Sequence, residues 1–97
     1  MVVFQLAKIN TVLKNRPVAK ELREEIKKKL DDGERVILDF SRVAGISRGF
    51  AEELIGKLTE ELGVTVFSRK ISLDNVSSRV ARVLERVLLP YTEEVSD

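Results

Sequence analysis

The most constraining feature of this sequence is a short, almost entirely apolar run near its middle, Val36-Ile37-Leu38-Asp39-Phe40. Apolar residues do not alternate with polar ones here, which is typical of a strand covered on both faces at the centre of a parallel sheet. Helical periodicity precedes and follows the run, so we predict a central strand between two helices. A chain with this feature is expected to adopt an α/β fold.

Two helices are predicted on either side of the central strand, because apolar residues recur there every three or four positions. The first begins at Asn15-Arg16-Pro17, with Asn15 as its N-cap, and ends at Gly33, a suitable left-handed cap. The second begins at Ser47, also suited to capping, and ends at Gly63. Their apolar stripes are Val18, Ala19, Leu22, Ile26 and Leu30 in the first, and Phe50, Leu54, Ile55, Leu58 and Leu62 in the second.

Further strands are predicted where short β-branched runs occur. Val2 to Leu6 is expected to be the first strand, and Lys8 to Lys14 reads as a connection or a short second strand. Ser41 to Ile46 is expected to be a loop. Val64 to Phe67 and Ile71 to Leu73 are both typical of strands, and we favour Ile71 to Leu73 as the one that joins the sheet.

A third helix is predicted from about Ser77 to Leu88, where Pro90 is expected to stop it. Its apolar face would be Val76, Val80, Val83, Leu84 and Val87. The chain then forms a single domain over 1–97, with a core of about 2–88 and a flexible tail at 89–97. The order strand, helix, strand, helix, strand, helix predicts right-handed crossovers and a small, mainly parallel sheet with helices packed on it.

Composition excludes several classes of protein. The 97 residues include neither Cys nor His, so disulfides, thiolate sites and histidine chemistry are excluded. No apolar run of about 18 residues occurs, and no signal peptide is recognised, so we expect a cytoplasmic protein without membrane spans. The absence of Cys, a single Met and the abundance of Lys and Glu also fit a thermophilic source. The net charge of +1 argues against strong polyanion binding unless the charge is unevenly placed.

A polar loop links the central strand to the second helix. Asp39 ends the strand, and Ser41 and Ser47 flank the turn. Ligands and partners bind at the carboxyl ends of strands in open α/β sheets, and a helix N-terminus there favours an anion. The competing interpretation is that these three side chains only satisfy backbone groups of the loop.

The same segment carries a resemblance to a known family. Asp-Phe-Ser-x-Val-x-x-Ile-Ser-x-x-Phe-Ala-x-Glu-Leu is similar to the central motif of STAS-like domains of unknown function, relatives of the STAS domains of sulfate transporters and anti-sigma factor antagonists. Val12 to Ala19 is similar to the family's Leu-x-x-Arg-x-x-Ala helix entry, and Ile71 to Asn75 to its next strand and turn. The resemblance extends over about Phe4 to Leu88. The matching positions of the motif are Asp39, Phe40, Ser41, Val43, Ile46, Ser47, Phe50, Ala51, Glu53 and Leu54.

The resemblance implies a regulatory protein-interaction module with a kinase-like ATPase or a DNA-binding regulator as its partner. STAS antagonists are switched by phosphorylation of a serine at the start of the helix after the central strand. Here Arg48 stands at the usual phosphoacceptor position and Ser47 stands in place of an Asp, so the usual switch is not expected. Ser47 is the candidate modification site, although its side chain is also suited to capping. The predicted partner-binding residues are Asp39, Ser41, Arg42, Ser47, Arg48 and Gly49.

Three alternatives stay open. A small anion- or nucleotide-binding module could use the same helix N-terminus. Nucleic-acid binding is not favoured, because aromatic residues make up only 5% of the chain. Exposed sheet edges would allow a homodimer.

A basic surface is predicted from Arg42 and Arg48 together with Arg69, Lys70, Arg79, Arg82 and Arg86.

An enzymatic function is not expected. A serine nucleophile needs an adjacent base, and without His only Lys could supply it. The sequence has no phosphate-binding Gly-rich loop ending in Lys-Ser/Thr and no spacing typical of metal ligands. No cofactor and no metal are therefore expected.

Overall fold

The computed structural model describes residues 1–93 and shows a three-stranded parallel sheet beside a smaller parallel ladder. The strand order of the sheet is β1-β3-β5, which places β3 at its centre as predicted. The second ladder pairs β2 with β4, so every pairing is parallel. The strands are β1 (Val2–Gln5), β2 (Val12–Leu13), β3 (Val36–Asp39), β4 (Gly45–Ile46) and β5 (Ile71–Asp74).

Helical segments connect the strands. The second predicted helix is observed as three consecutive segments, α2, a π-helical turn and α3, which follow one another without a gap. None of the helices within residues 1–93 combines the length and the apolar character that crossing a membrane requires. The segments are α1 (Arg16–Asp31), α2 (Arg48–Ala51), the π-helical turn Glu52–Gly56, α3 (Lys57–Leu62), α4 (Val64–Lys70) and α5 (Ser78–Glu93), with a 3-10 turn at Leu6–Lys8.

The predicted helix boundaries are confirmed by their caps. Asn15 Oδ1 accepts a hydrogen bond from the backbone N–H of Val18 at 3.1 Å, which satisfies a free donor at the start of α1. Gly33 and Gly63 follow α1 and α3 with φ of 85° and 84°, a region that costs glycine little because it has no Cβ.

Within residues 1–93, helices cover one face of the sheet and leave the other partly exposed. Val36 and Leu38 point into the core and are almost fully buried, whereas Ile37 is partly exposed and Val3, its partner on β1, is 51% exposed. The prediction that both faces of the central strand are covered is therefore wrong. From β1 to β3 to β5 the chain moves across the sheet in the same direction. Because crossovers between parallel strands are right-handed, both connections then place their helices on the same face of the sheet.

The segment Val64 to Phe67 is not a strand. It lies within α4, which packs on α3 and against the start of β5. Only Phe67 is buried, and Val66 is exposed, so this segment contributes one apolar side chain to the core. β5 occupies the position beside β3, as predicted from the sequence. The β propensity of Val64 and Val66 is therefore overridden by tertiary packing.

Pro90 does not stop the last helix, contrary to the prediction. It lies inside α5, which continues to Glu93. Proline removes one N–H, but only one helical turn follows, and the Tyr91 hydroxyl anchors that turn by a 3.2 Å hydrogen bond to Glu60 of α3. Of the predicted flexible tail 89–97, residues 89–93 are therefore helical, and 94–97 lie outside the described residues.

Candidate functional site

The predicted site begins where the central parallel ladder is interrupted. β1 and β3 pair up to Gln5 and Asp39, and the same two chain segments pair again as β2 and β4. Between the two ladders both segments leave regular structure, and the Ala44 N–H donates to the Thr11 carbonyl at 2.7 Å where pairing resumes. The two irregular segments enclose an open groove of about 440 Å³. Its lining residues are Gln5, Ala7, Lys8, Thr11, Asp39, Ser41 and Arg42.

Asp39 organises the turn that leaves the central strand. Its Oδ1 atom accepts hydrogen bonds from the Ser41 backbone N–H at 2.9 Å, the Ser41 hydroxyl at 2.7 Å and Asn75 Nδ2 at 3.0 Å. The bond from Asn75, followed by those from Ser41, lowers the pKa of Asp39 below its usual value. The carboxylate thus ties the end of β3 to the turn after β5.

Two residues of this turn region adopt a left-handed backbone that side-chain-bearing residues rarely accept. Arg42 has φ of 67° and Asn75 has φ of 57°. Asparagine tolerates this region, but arginine does so at a cost of about 1 kcal/mol. Arg42 is exposed and follows the Ser41 turn that Asp39 fixes. The loop therefore holds an arginine outward in a conformation that glycine would adopt more readily.

The start of α2 is arranged by Ser47, Arg48 and Gly49. The Ser47 hydroxyl accepts from the Phe50 N–H at 3.0 Å, so the predicted cap is confirmed and the hydroxyl is engaged. The side chain of Arg48 is 70% exposed. Gly49 lies under Arg16 of α1, since a Cβ added to Gly49 would stand 2.9 Å from Arg16 Nε.

Two arginines share one carboxylate beside this helix start. Arg48 Nε lies 3.1 Å from Glu52 Oε2, and Arg16 Nη2 lies 2.9 Å from Glu52 Oε1. The hydrogen bond from Arg48, followed by that from Arg16, lowers the pKa of Glu52. The charge at the helix start is therefore partly compensated, while the side chain of Arg48 stays accessible.

We call the six predicted partner-binding residues the docking corner: Asp39, Ser41, Arg42, Ser47, Arg48 and Gly49. The structure places all six on the segment between the end of β3 and the first turn of α2. Asp39 and Ser41 are directly hydrogen-bonded, and Ser47 caps the helix that carries Arg48 and Gly49.

A buried ion pair that the sequence did not predict lies close behind the docking corner. Arg23 of α1 and Glu53 of the π-helical turn are both almost fully buried, and their side chains meet at 2.7 Å. The hydrogen bond from Arg23 is the main cause of the lowered pKa of Glu53. Arg23 could have been found in the sequence, because it lies four residues after Ala19 and three before Ile26, beside their apolar stripe. The motif glutamate thus holds two helices together.

The other predicted basic residues do not all gather at the docking corner. Arg69 and Lys70 end α4 at the amino end of β5, whereas Arg42 lies at the carboxyl end of the sheet. On α5, Arg82 and Arg86 line a shallow groove together with Glu85 and Leu89. A second groove brings Arg86 close to Arg48. Arg79 is exposed one turn before Arg82 on the same helix.

The protein is a small parallel α/β domain with a polar turn and a capped helix after its central strand. Residues 18–81 match the model of the family described as STAS-like domain of unknown function (DUF4325). The chain belongs to this family, and the predicted resemblance and α/β fold are confirmed. No curated protein and no solved structure matches the chain.

Proposed function

We propose that this domain is a regulatory protein-interaction module that binds its partner at the docking corner. The observation that carries the proposal is the exposed Arg42, held in left-handed backbone beside a turn that Asp39 fixes with two hydrogen bonds from Ser41. A third hydrogen bond, from Asn75, ties Asp39 to the segment after β5. Strained backbone at a surface position is often retained because a functional side chain must point in a particular direction. A rigid polar corner also loses little conformational entropy when a partner binds.

The partner surface would carry carboxylates. Arg42 and Arg48 are both exposed, and charge complementarity guides the orientation of protein complexes. A kinase-like ATPase or a DNA-binding regulator is the partner that the family resemblance suggests. We place this interaction in the cytoplasm.

Protein binding is favoured over a small anion at the helix start. The Ser47 hydroxyl already accepts the Phe50 N–H, which removes one of the donors that an anion would need. The proposed module is also non-catalytic, since the Ser41 and Ser47 hydroxyls serve the turn and the cap.

Ser47 stays the proposed modification site. A phosphate on its hydroxyl would add negative charge beside Arg48 and displace the present cap, which would change the corner presented to a partner. Intact-mass analysis of natively expressed protein should reveal a phosphorylated fraction in some growth states. An unmodified mass in every state would contradict this part of the proposal.

The proposal is tested by affinity capture from a native lysate with immobilised full-length protein. Arg42→Glu and Arg48→Glu reverse charge at the docking corner. Lys28→Glu is the matched control, because Lys28 is exposed on α1 and lies twelve residues, or about 18 Å, beyond Arg16. Circular dichroism and thermal unfolding confirm that each variant is folded.

We expect one protein to be captured by the wild type and by Lys28→Glu, and to be lost with either docking-corner variant. Capture that is equal for all four proteins would show that the partner binds elsewhere. Capture of no protein by any of them would equally overturn the proposal.

A further inference from the structure

Charge is distributed very unevenly along this chain. Residues 1–20 contain four cations and no carboxylate, and residues 40–51 contain two cations and no carboxylate. The remaining residues hold the other eleven Lys and Arg and all 16 Asp and Glu. The net charge of +1 therefore conceals two purely cationic segments, whose charged residues are Lys8, Lys14, Arg16, Lys20, Arg42 and Arg48.

The fold brings these two segments together. Val12 aligns with Gly45 and Leu13 with Ile46 in the parallel pairing of β2 and β4. The Ser47 N–H extends the contact by donating to the Leu13 carbonyl at 2.8 Å. The cations of both segments thus adjoin in the fold. Glu52 pairs with Arg16 and Arg48, and Glu53 pairs with Arg16, so among the described residues the lysines of the first segment carry the uncompensated charge.

An apolar groove of about 480 Å³ lies within this cationic region. We call it the aliphatic groove, and no carboxylate lines it. Leu13 and Phe50 form its buried floor, while Ile9 and Val12 are 43% and 42% exposed. Its lining residues are Ile9, Asn10, Val12, Leu13, Lys14, Asn15, Val18 and Phe50.

We infer that the aliphatic groove binds an acidic peptide segment of the partner that carries bulky apolar side chains. An apolar side chain would cover Ile9 and Val12, and a flanking carboxylate would approach Lys14 at the groove. Lys8 lies in the neighbouring groove, whose lining also includes the Asp39 carboxylate. Within residues 1–93, neither lysine has an ion-pair partner. This inference rests on the proposed function and specifies the chemistry of the partner.

A peptide fits this surface better than other polyanions do. Single-stranded nucleic acid binds by stacking bases on exposed aromatic rings, and the aromatic ring of this groove, Phe50, is buried in its floor. A concave groove with a polar rim of Asn10 and Asn15 matches a single inserted side chain, whereas a lipid surface requires a convex or flat apolar face.

The test is selection from a phage-displayed library of random peptides on immobilised full-length protein. The enriched peptides are synthesised with a fluorophore, and their affinities are measured by fluorescence anisotropy. Val12→Gln and Lys14→Glu change the groove. Val66→Gln and Lys28→Glu are the matched controls, because Val66 on α4 is 41% exposed, close to the value for Val12.

We expect the enriched peptides to be acidic and to contain large apolar residues. Val12→Gln and Lys14→Glu should each weaken their binding by about fivefold or more, and the two controls should leave it unchanged. Enrichment of no peptide, enrichment of neutral or basic peptides, or equal binding to all variants would overturn the inference. Tighter binding of single-stranded DNA or phosphatidylserine vesicles, with the same sensitivity to Val12→Gln, would also overturn it.

The two proposals fail separately. Loss of capture with Arg42→Glu, without any selected peptide, would leave the docking corner as the binding site and remove the aliphatic groove from the interface. The reverse result is selection of acidic peptides when no captured partner depends on Arg42. It would leave the aliphatic groove as a binding site and remove the docking corner from the interface.

Discussion

Arg23 Nη1 donates to both the carboxylate and the main-chain carbonyl of Glu53, and so joins α1 to the π-helical turn. A π turn widens the helix and changes which carbonyls have partners within it. The guanidinium supplies a donor to this turn from the neighbouring helix, so the two helical segments are held together at this point. The family motif places its glutamate at this position, immediately behind the docking corner.

Removal of the Glu53 carboxylate should destabilise the domain strongly. We expect Glu53→Gln to lower the free energy of unfolding by about 3 kcal/mol, because the buried Arg23 would lose its closer charged partner and keep only Glu61, at 3.5 Å. Urea denaturation at neutral pH measures this change. Glu24→Gln, at an exposed position of α1, is the control and should change stability by less than about 0.5 kcal/mol. Equal effects of the two substitutions would show that the pair is not a structural contact.

Stability should fall in acid because several carboxyl groups have lowered pKa values in the fold. For Glu53, whose pKa is lowered chiefly by Arg23, the stabilisation is complete above the unfolded-state pKa of about 4.3 and is lost as the pH falls through the lower folded-state pKa. Glu52 and Asp39 act with the same sign.

Urea unfolding between neutral pH and about pH 3 measures this dependence. The free energy of unfolding should be nearly constant above about pH 5 and should decline below it. The decline should be shallower for Glu53→Gln, which has lost one of the groups. An identical slope for the variant and the wild type would contradict the assignment.

Gly56 should tolerate a side chain poorly. A Cβ at Gly56 would stand 3.1 Å from Val87 Cγ1, and Val87 is a stiff, buried residue of α5. We expect Gly56→Ala to destabilise by about 1 kcal/mol despite the higher helix propensity of alanine. In a Val87→Ala background the same change should be stabilising. Gly49→Ala is the contrast, because it meets only the flexible end of Arg16 and should be close to neutral in thermal unfolding.

Arg42→Gly should separate stability from binding. Glycine adopts φ of 67° without the Cβ clash, so the variant should be as stable as the wild type or more stable by up to about 1 kcal/mol. Partner capture should nevertheless decrease, because the exposed guanidinium is gone. Thermal unfolding and affinity capture give the two readouts. A clear loss of stability would show that Arg42 has a structural role.

Sequence patterns alone were sufficient to predict the central strand, the two capped helices and the strand that joins β3. Each depends on a local pattern: the apolar run at Val36 to Phe40, the capping residues Asn15 and Ser47, and the terminating glycines. Short-range periodicity reports such elements because a residue and its near neighbours share one face of a helix or strand.

Packing of the whole domain selected the face of the sheet that stays open, the helical state of Val64 to Phe67 and the continuation of α5 through Pro90. It also decided that Arg23 meets Glu53 and that two cationic segments adjoin along β2 and β4. These outcomes depend on contacts between residues some thirty positions apart in the chain. Local propensities are weak compared with the burial that such contacts provide, so the packing of the whole domain selects among the conformations that each segment allows.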